Sequence, residues 1–353
     1  MNIIINKKII FLIAMFSFSI NQDLDDLAFG NENTLDIMTW NIEWFPKNGQ
    51  VTMDYVGQII EALEMDIMAI QEVDNINSFN QMIDDLPMYE GYLESSWFAG
   101  LAYIYNTETI EINDIYEIYT TSPYWSPFPR SPMVIDFNFM GSQYFLINNH
   151  FKCCGDGIMN LNDSGDEETR RYIASNLLKD YIDDNLPNSR VIVLGDLNDI
   201  LTDDYDNNVF QTIMEDPANY TFTDMEIAEG SSSNWSYPNW PSHIDHIFIT
   251  NELFDIFGND VSICETIRID DYMNGGFWEY DQNISDHRPV ALKLGFDTMV
   301  TGDFSDDGVL DILDIVILVS LILNDQYNQI GDFNLDGDLD IQDLVIMVNL
   351  ILS

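Results

Sequence analysis

Between Leu35 and about Gly295, short apolar runs alternate with longer stretches whose apolar residues recur at helical spacing. The runs at residues 35–40, 67–70, 101–105, 133–139, 144–148, 191–194, 246–249 and 289–294 predict strands. Helices are predicted over 53–63, 76–86 and 167–185. In the last of these, Tyr172, Ile173, Leu177, Leu178, Tyr181 and Ile182 fall on one stripe. Many strands with few helices between them predict packed mixed sheets with helices outside, an α/β architecture.

Both ends depart from that pattern. Lys7 and Lys8 precede an apolar run at 9–20 that is too short to span a bilayer and is followed by Asp23, Asp25 and Asp26. Residues 1–20 therefore read as a signal peptide with a small-residue pattern at Ser17 and Ser19, and the chain as secreted. Residues 21–34 read as a loose acidic lead-in and 35–297 as the main domain. The apolar run at 315–323 lies between acidic residues and reads as a helix of a small domain, so no transmembrane segment is expected after cleavage. From 300 to 353 the chain duplicates itself: GDFSDDGVLDILD from Gly302 is followed by GDFNLDGDLDIQD from Gly331, each leading into an apolar helix, at 315–323 and 344–352.

Each duplicate places oxygen-bearing groups where a calcium loop needs them. The first offers Asp303, Ser305, Asp307, the Val309 carbonyl, Asp311 and Asp314, with Gly308 at the sharp turn; the second offers Asp332, Asn334, Asp336, Asp338, Asp340 and Asp343, with Gly337. Such spacing wraps hard oxygens around Ca2+, which takes six to eight of them at roughly 2.3–2.6 Å. The segment resembles type I dockerin modules. That likeness implies a small all-α domain that folds on Ca2+ and adheres to a cohesin-like protein. Loop positions 10 and 11 are Ile312-Leu313 and Ile341-Gln342, more apolar than in many dockerins, which leaves the partner open, with intramolecular or cell-surface attachment as alternatives.

Composition adds two constraints. The chain carries 61 acidic against 12 basic side chains, a net charge of −49, which counts against tight binding of polyanions unless metal ions supply local positive charge. The three cysteines, Cys153, Cys154 and Cys264, allow one bridge at most, either the adjacent pair or Cys264 with one of them.

Six motifs set polar groups beside strand-like runs: Thr39-Trp40-Asn41-Ile42-Glu43, Ile70-Gln71-Glu72-Val73, Asn148-Asn149-His150-Phe151, Gly195-Asp196-Leu197-Asn198, His243-Ile244-Asp245-His246 and Ser285-Asp286-His287-Arg288-Pro289. Phosphodiester hydrolysis needs an oriented water, a base, relief of phosphate charge and help for the leaving oxygen, and these residue types supply such groups. Together, in this order, the motifs resemble the endonuclease/exonuclease/phosphatase superfamily, over about residues 35–295. The resemblance implies a four-layered α/β sandwich of two packed mixed sheets with its site at one edge. It implies that Asn41, Glu72 and Asp286 hold Mg2+ or Mn2+. His287 then orients or deprotonates water with Asp245 fixing its ring, Asp196 and Asn198 position nucleophile and phosphate, His150 assists the phosphate or leaving group, and Arg130 and Asn149 contact substrate.

Two departures from deoxyribonuclease-like members stand out: Asp74 occupies the place of an arginine, and residues 97–105 offer no carboxylate to His150. His246 is expected to be packed and hydrogen-bonded, and His243 is left open. The loop with Trp235 and Trp240 is read as packing or as a surface for bases or lipid. The leading expectation is a secreted nuclease acting on DNA or RNA. The alternatives are a phosphodiesterase or phosphatase for lipid head groups or small esters, and a catalytically inactive binding module.

Overall fold

Leu35 and Ile37 bury one side of the first strand, and Met38, Trp40 and Ile42 bury the other. A strand apolar on both faces belongs in the middle of a layered structure. The computed structural model describes residues 23–31, 33–93, 99–296, 302–305, 310–324, 326–334 and 337–352. The leader at 1–20 and the loop positions Asp307, Val309 and Asp336 lie outside the described residues.

The strands are β1 (Thr34–Phe45), β2 (Ile67–Val73), β3 (Tyr89–Leu93), β4 (Gly100–Asn106), β5 (Glu111–Glu117), β6 (Met133–Phe139), β7 (Ser142–His150), β8 (Val191–Asp196), β9 (Tyr220–Phe222), β10 (Asp245–Thr250), β11 (Ile263–Thr266) and β12 (Val290–Gly295). They form two six-stranded mixed sheets, ordered β11-β12-β1-β2-β4-β3 and β5-β6-β7-β8-β10-β9. In each, one central pair is parallel: β1 with β2, and β7 with β8. The inward rows of the two sheets meet in one core that includes Ile37, Ala69, Tyr103, Ile135, Leu146, Leu194, Ile247 and Leu292. Helices Gln50–Leu63, Ile76–Asp84 and Gly276–Asn283 cover the outer face of the first sheet, through Val56, Ile60, Phe79 and Tyr280 among others. Helix Glu167–Asn185 covers the second through Ala174, Leu178 and Ile182.

The lead-in is packed, which corrects the expectation of a loose segment. Leu24, Leu27 and Phe29 are buried against the first group of helices, and Gly30 N–H bonds to the Leu63 carbonyl at 2.8 Å. Burying such side chains gains roughly 1.5–3 kcal/mol each, enough to order a short acidic stretch.

Towards one end, the inter-sheet layer turns from apolar to polar. Gln71 Nε2 donates to Asn148 Oδ1 at 2.8 Å and to Thr39 Oγ1 at 3.0 Å. Asn148 Nδ2 donates to the carbonyls of Ile70 and Ala102, both at 3.0 Å. The Tyr103 hydroxyl lies 2.7 Å from the Met133 carbonyl and 2.9 Å from that of Leu146, and accepts from Asn148 N–H at 3.0 Å. A buried polar layer is tolerable only when its groups are paired in this way.

The duplicated segment also folds as a pair. Helices Ile312–Leu323 and Ile341–Leu352 contact each other, with Leu318 and Met347 fully buried. A Cβ on Gly302 would meet Phe333 at 2.6 Å, and one on Gly331 would meet Phe304 at 2.6 Å, so each repeat seats its phenylalanine on the other's glycine. Asp314 and Asp343 are buried, with their carboxylates turned back onto the preceding loop: Asp314 accepts from Ser305 and Asp311 N–H, and Asp343 from Phe333 and Asp340 N–H, all at 2.9 Å.

Removing the Tyr103 hydroxyl strands the buried Asn148 N–H. Tyr103→Phe is therefore expected to lower stability by about 1–3 kcal/mol with an unchanged denaturant slope, as measured by urea unfolding.

Candidate active site

The inward rows of four strands end in polar side chains at one rim: Asn41 on β1, His150 on β7, Asp196 on β8 and Asp245 on β10. Each continues the alternation that faces the core farther down its strand. Glu72 breaks this rule. By alternation it would face the helices, but the β2 ladders are irregular there and its φ is +66°, which brings its carboxylate to the rim. Glu43 (φ +34°), Trp44 (+52°) and Asn198 (+54°) are also left-handed non-glycine residues. Each costs roughly 1–2 kcal/mol, and their gathering at one rim marks a place where geometry is held against local preference.

Asn41 joins the two sheets. Its Nδ2 donates to Asp196 Oδ2 at 2.9 Å and to Glu72 Oε1 at 3.2 Å, while its Oδ1 accepts from Glu43 N–H at 3.0 Å. Trp44 N–H donates to Glu72 Oε2 at 3.2 Å. Ser285 Oγ donates to the Asn41 carbonyl at 2.6 Å and accepts from His287 N–H at 3.0 Å, which ties β1 to the segment before β12. Tyr280 OH donates to the His287 carbonyl at 2.6 Å. His287 Nδ1 lies 2.8 Å from Asp245 Oδ2, while its Nε2 is 3.9 Å from both Asp196 Oδ2 and Asp286 Oδ1. His150 Nε2 lies 3.4 Å from Asp196 Oδ2 and 3.8 Å from Glu72 Oε1. Its buried Nδ1 has no hydrogen-bond partner among the described residues.

The charges at this rim are unbalanced. Burial raises Asp196 to about 7; the His287 charge pulls against this, and Asp245 and Glu72 add to it. Burial opposes charge on His287, but Asp245, Asp196 and Asp286 outweigh it and lift the ring to about 10. His150 is pushed well below its ordinary value by burial and by the charges of Arg130 and His287, so it is neutral. Arg130, drawn down by burial, feels Glu72 and Asp196, and its Nε donates to the Ala99 carbonyl at 2.9 Å.

Crowded hard-oxygen donors with unmet negative charge are the setting a divalent cation fits. Asn41, Glu72 and Asp286, with Glu43 beside them through its bond from Asp286 N–H at 3.0 Å, provide such a set. Ligating atoms of Asp196, Asp245 and His287 also converge within 4.8 Å, but His287 and Asp245 are committed to each other.

The rim thus gathers Asn41, Glu72, His150, Asp196, Asp245, Asp286 and His287, with Arg130 facing it. Asn198 borders it, with its N–H on Asp196 Oδ1 at 3.1 Å and its Nδ2 3.4 Å from the Phe151 carbonyl. Asn149 is not brought in. It lies on the opposite face of β7 from His150, and its Nδ2 is spent on the carbonyls of Ile147 and Leu194. Glu43, Ser285 and Tyr237, whose ring centroid lies 4.8 Å from that of His287, are additions to the expected set. Glu43 and Ser285 stand in motifs without an assigned role, and Tyr237 lies in the Trp235–Trp240 loop, read as packing or as a surface for bases or lipid. All three cysteines are free. Cys153 and Cys154 have sulfurs 3.0 Å apart just after β7, whereas Cys264 is on β11 in the other sheet.

The family model described as the Endonuclease/Exonuclease/phosphatase family matches residues 38–287, from β1 through His287. The chain belongs to this family. It is accordingly a metal-dependent phosphoric ester hydrolase. No curated protein matches the sequence. Among solved structures, it resembles the family protein from Bacteroides vulgatus at 18% identity and TM-score 0.51, covering 75% of this chain and 99% of that one. It also resembles D. rerio TDP2 complexed with a single-strand DNA product, at 13% identity and TM-score 0.56, covering 75% of this chain and 100% of that one. The human Nocturnin catalytic domain with bound sulfate is similar at 14% identity and TM-score 0.53, covering 74% and 94%. At these identities the likeness is one of fold.

Asp245→Asn removes the nearest charge that sustains His287. In metal-free protein the His287 ring is expected to lose its proton at a pH lower by about one unit or more, so that near pH 8–9 the variant is less charged than the wild type. An NMR titration of the ring reads this directly.

Proposed function

We propose that the chain is an exported phosphodiesterase that cleaves nucleic acid, preferentially single strands, and is tethered through a calcium-dependent, dockerin-like module. The observation that carries the hydrolytic part is the disposition of His287: Nδ1 is fixed on Asp245 at 2.8 Å, and Nε2 opens onto a space bounded by carboxylates 3.9 Å away. That gap suits a bridging water. Asp245 fixes the ring's orientation, and a bound cation would offset the carboxylates that hold the ring protonated, leaving Nε2 placed to exchange a proton with the attacking water. Asp196 Oδ2 lies between the two imidazoles and orients that water, while neutral His150 faces the phosphate or the leaving oxygen. Mg2+ or Mn2+ held by Asn41, Glu72 and Asp286 would supply Lewis-acid polarisation of a phosphoryl oxygen.

The preference for single strands rests on where the cations are. Of twelve lysines and arginines, Lys7 and Lys8 lie outside the described residues. Of the other ten, Lys47, Arg171, Lys179, Arg268, Arg288 and Lys293 form ion pairs with the protein's own carboxylates. Arg190 sits over the Tyr144 ring, and Arg170 donates to the Ser126 carbonyl. Arg130 and Lys152 stand nearest His150; each donates to a backbone carbonyl, of Ala99 and Cys153, and neither has an ion pair among the described residues, which leaves too few cations to follow a duplex backbone. Aromatic groups are better placed: Trp44 is 44% exposed beside Glu72, and Trp240 is 80% exposed next to Asn239, which bonds to Asp281 in the group that includes Lys47 and Glu43. Exposed rings stack on unpaired bases and need no basic track.

Attachment is supported by the duplicated segment. Ile312 and Ile341, Val316 and Val345, and Leu323 and Leu352 form matching exposed apolar positions on its two helices, at 56–80% exposure. Asp303, Ser305, Asp311 and Asp314, and Asp332, Asn334, Asp338, Asp340 and Asp343, are the ligands proposed for Ca2+ among the described residues, and a cohesin-like protein is the proposed partner. Export is inferred from the leader. No described helix is long and apolar enough to cross a membrane.

Hydrolysis of a single-stranded oligonucleotide with Mg2+ or Mn2+ is expected to fall about 10²–10⁴-fold in His287→Ala. Because the net charge repels polyanions, wild-type rates on the oligonucleotide at low substrate should rise several-fold between about 10 and 150 mM salt, whereas a small diester should respond little. Faster cleavage of duplex than of single strands, falling with salt, would defeat the substrate assignment; activity confined to small esters or lipid head groups would replace it with those substrates. Separately, Asp303→Ala combined with Asp332→Ala should abolish the Ca2+-induced rise in melting temperature of the C-terminal transition, read by calorimetry on the full chain.

A further inference from the structure

Behind the rim, outside every motif assigned a role, Asp224 is completely buried between two histidines. Its Oδ2 lies 2.6 Å from His246 Nδ1 and 2.9 Å from His243 Nε2, and its Oδ1 accepts from Ile247 N–H at 3.1 Å. The far nitrogens identify the protons. His246 Nε2 faces the Asp199 carbonyl at 2.8 Å, a group that only accepts. With a carboxylate on one side and a carbonyl on the other, His246 carries both ring protons and is a buried imidazolium. Burial opposes that charge, but Asp224 overcomes it and raises the ring above its ordinary value. His243 Nδ1 accepts from Ser236 N–H at 3.4 Å, so His243 is neutral and donates through Nε2. An Asp and two His have the composition of a metal site. Here, however, the proton on His243 Nε2 occupies the position a metal would take, and a 2.6 Å contact leaves no room for an ion.

Each histidine leads to one half of the rim. Through His246, Asp224 holds the Asp199 carbonyl and hence the turn that carries Asp196 and Asn198. Through His243 it holds Ser236. Ser236 Oγ accepts from the N–H groups of Asp245 at 3.2 Å and Ile244 at 3.3 Å, and its carbonyl accepts from Arg288 N–H, next to His287, at 2.7 Å. Leu197 N–H closes the figure on the Ile244 carbonyl at 2.9 Å.

We propose that Asp224 is the positioning residue of the hydrolytic centre, setting Asp245 against His287 through His243 and Ser236, and the Asp196–Asn198 turn through the His246 imidazolium. The proposal rests on reading His287, Asp245 and Asp196 as the reacting groups. A misplacement of about 1 Å at such groups can cost roughly 10²-fold in rate.

The test uses the full chain, a small phosphodiester and rates per folded molecule, with the folded fraction from circular dichroism. Asp224→Asn should lower kcat at least tenfold with KM within twofold. Ser236→Ala, a milder change if Asp224→Asn does not fold, should lower kcat about three- to tenfold. Leu35→Ala, in the inter-sheet core away from the rim, should lose stability but keep its rate per folded molecule. The chain has four histidines, so ¹⁵N-imidazole spectra can resolve them, and wild-type His246 should show two protonated ring nitrogens at pH 8. Unchanged kcat per folded molecule in Asp224→Asn or Ser236→Ala, an equal loss in Leu35→Ala, or an unprotonated nitrogen on His246 would each overturn the proposal. His287→Ala separates the two readings: if it stays active, the centre itself is misassigned, whereas if it is inactive while Asp224→Asn is not, only the role of Asp224 fails.

Discussion

The hydrolytic rim depends on the hydrogen-bonded layer of Thr39, Gln71, Tyr103 and Asn148 between the two sheets. Below that layer the inward rows are mostly Leu and Ile with aromatic side chains such as Phe137 and Tyr144; above it they are Asn41, His150, Asp196 and Asp245. An abrupt change from hydrocarbon to carboxylate would leave polar atoms facing apolar ones, at a cost of several kcal/mol for each unpaired group. The amide of Gln71, bonded to Thr39 in its own sheet and to Asn148 in the other, grades the change and fixes how the sheets sit against one another. Since Asn41 and Asp196 come from different sheets and bond at 2.9 Å, the spacing of that layer is inherited by the site.

Strain and charge follow from this arrangement. Once strand rows have delivered Asn41 and Asp196, regular β geometry offers no further carboxylate at the same height. Glu72 arrives only by a left-handed residue, and Glu43 stands at the start of another such pair. The result is a cluster in which Asp196 and His287 are both shifted upward, as expected where negative charge exceeds the protein's own means of offsetting it. Lys47 partners Glu43, and Arg130 serves Glu72 and Asp196 only at a distance. The residual imbalance is the chain's own argument for a divalent cation.

How much of this is legible in the sequence divides along burial. The eight strands recognised as apolar runs are the interior ones and their immediate partners. The four that escaped, β3, β5, β9 and β11, are the edges of the two sheets. An edge strand buries little: β5 and β11 carry mostly exposed or half-buried side chains, and β9 has three residues, so their sequences lack the continuous apolar run that marks a strand covered on both faces. The same physics explains the site. His150, Asp196 and Asp245 follow recognisable buried runs, and alternation alone predicts that His150 faces inward while Asn149 does not; the motif names both without distinguishing them. Asp224 was invisible because it follows the short edge strand β9, and its partners His243 and His246 flank Asp245 without sharing its face.

Two buried ionic devices lie back to back in this protein, and they differ in kind. At the rim, carboxylates outnumber cations and the balance is left open, so protonation and ligand state remain variable. Behind it, Asp224 faces one imidazolium and one neutral donor, with both of its oxygens hydrogen-bonded. Burying such a pair brings little net stability, because desolvation offsets most of the Coulomb attraction. What it does provide is definition: a paired buried charge has one low-energy arrangement, whereas apolar packing tolerates several. Defined geometry is what a rim with an open balance needs in its support, since groups that must change protonation state during turnover cannot also serve as the fixed reference for one another.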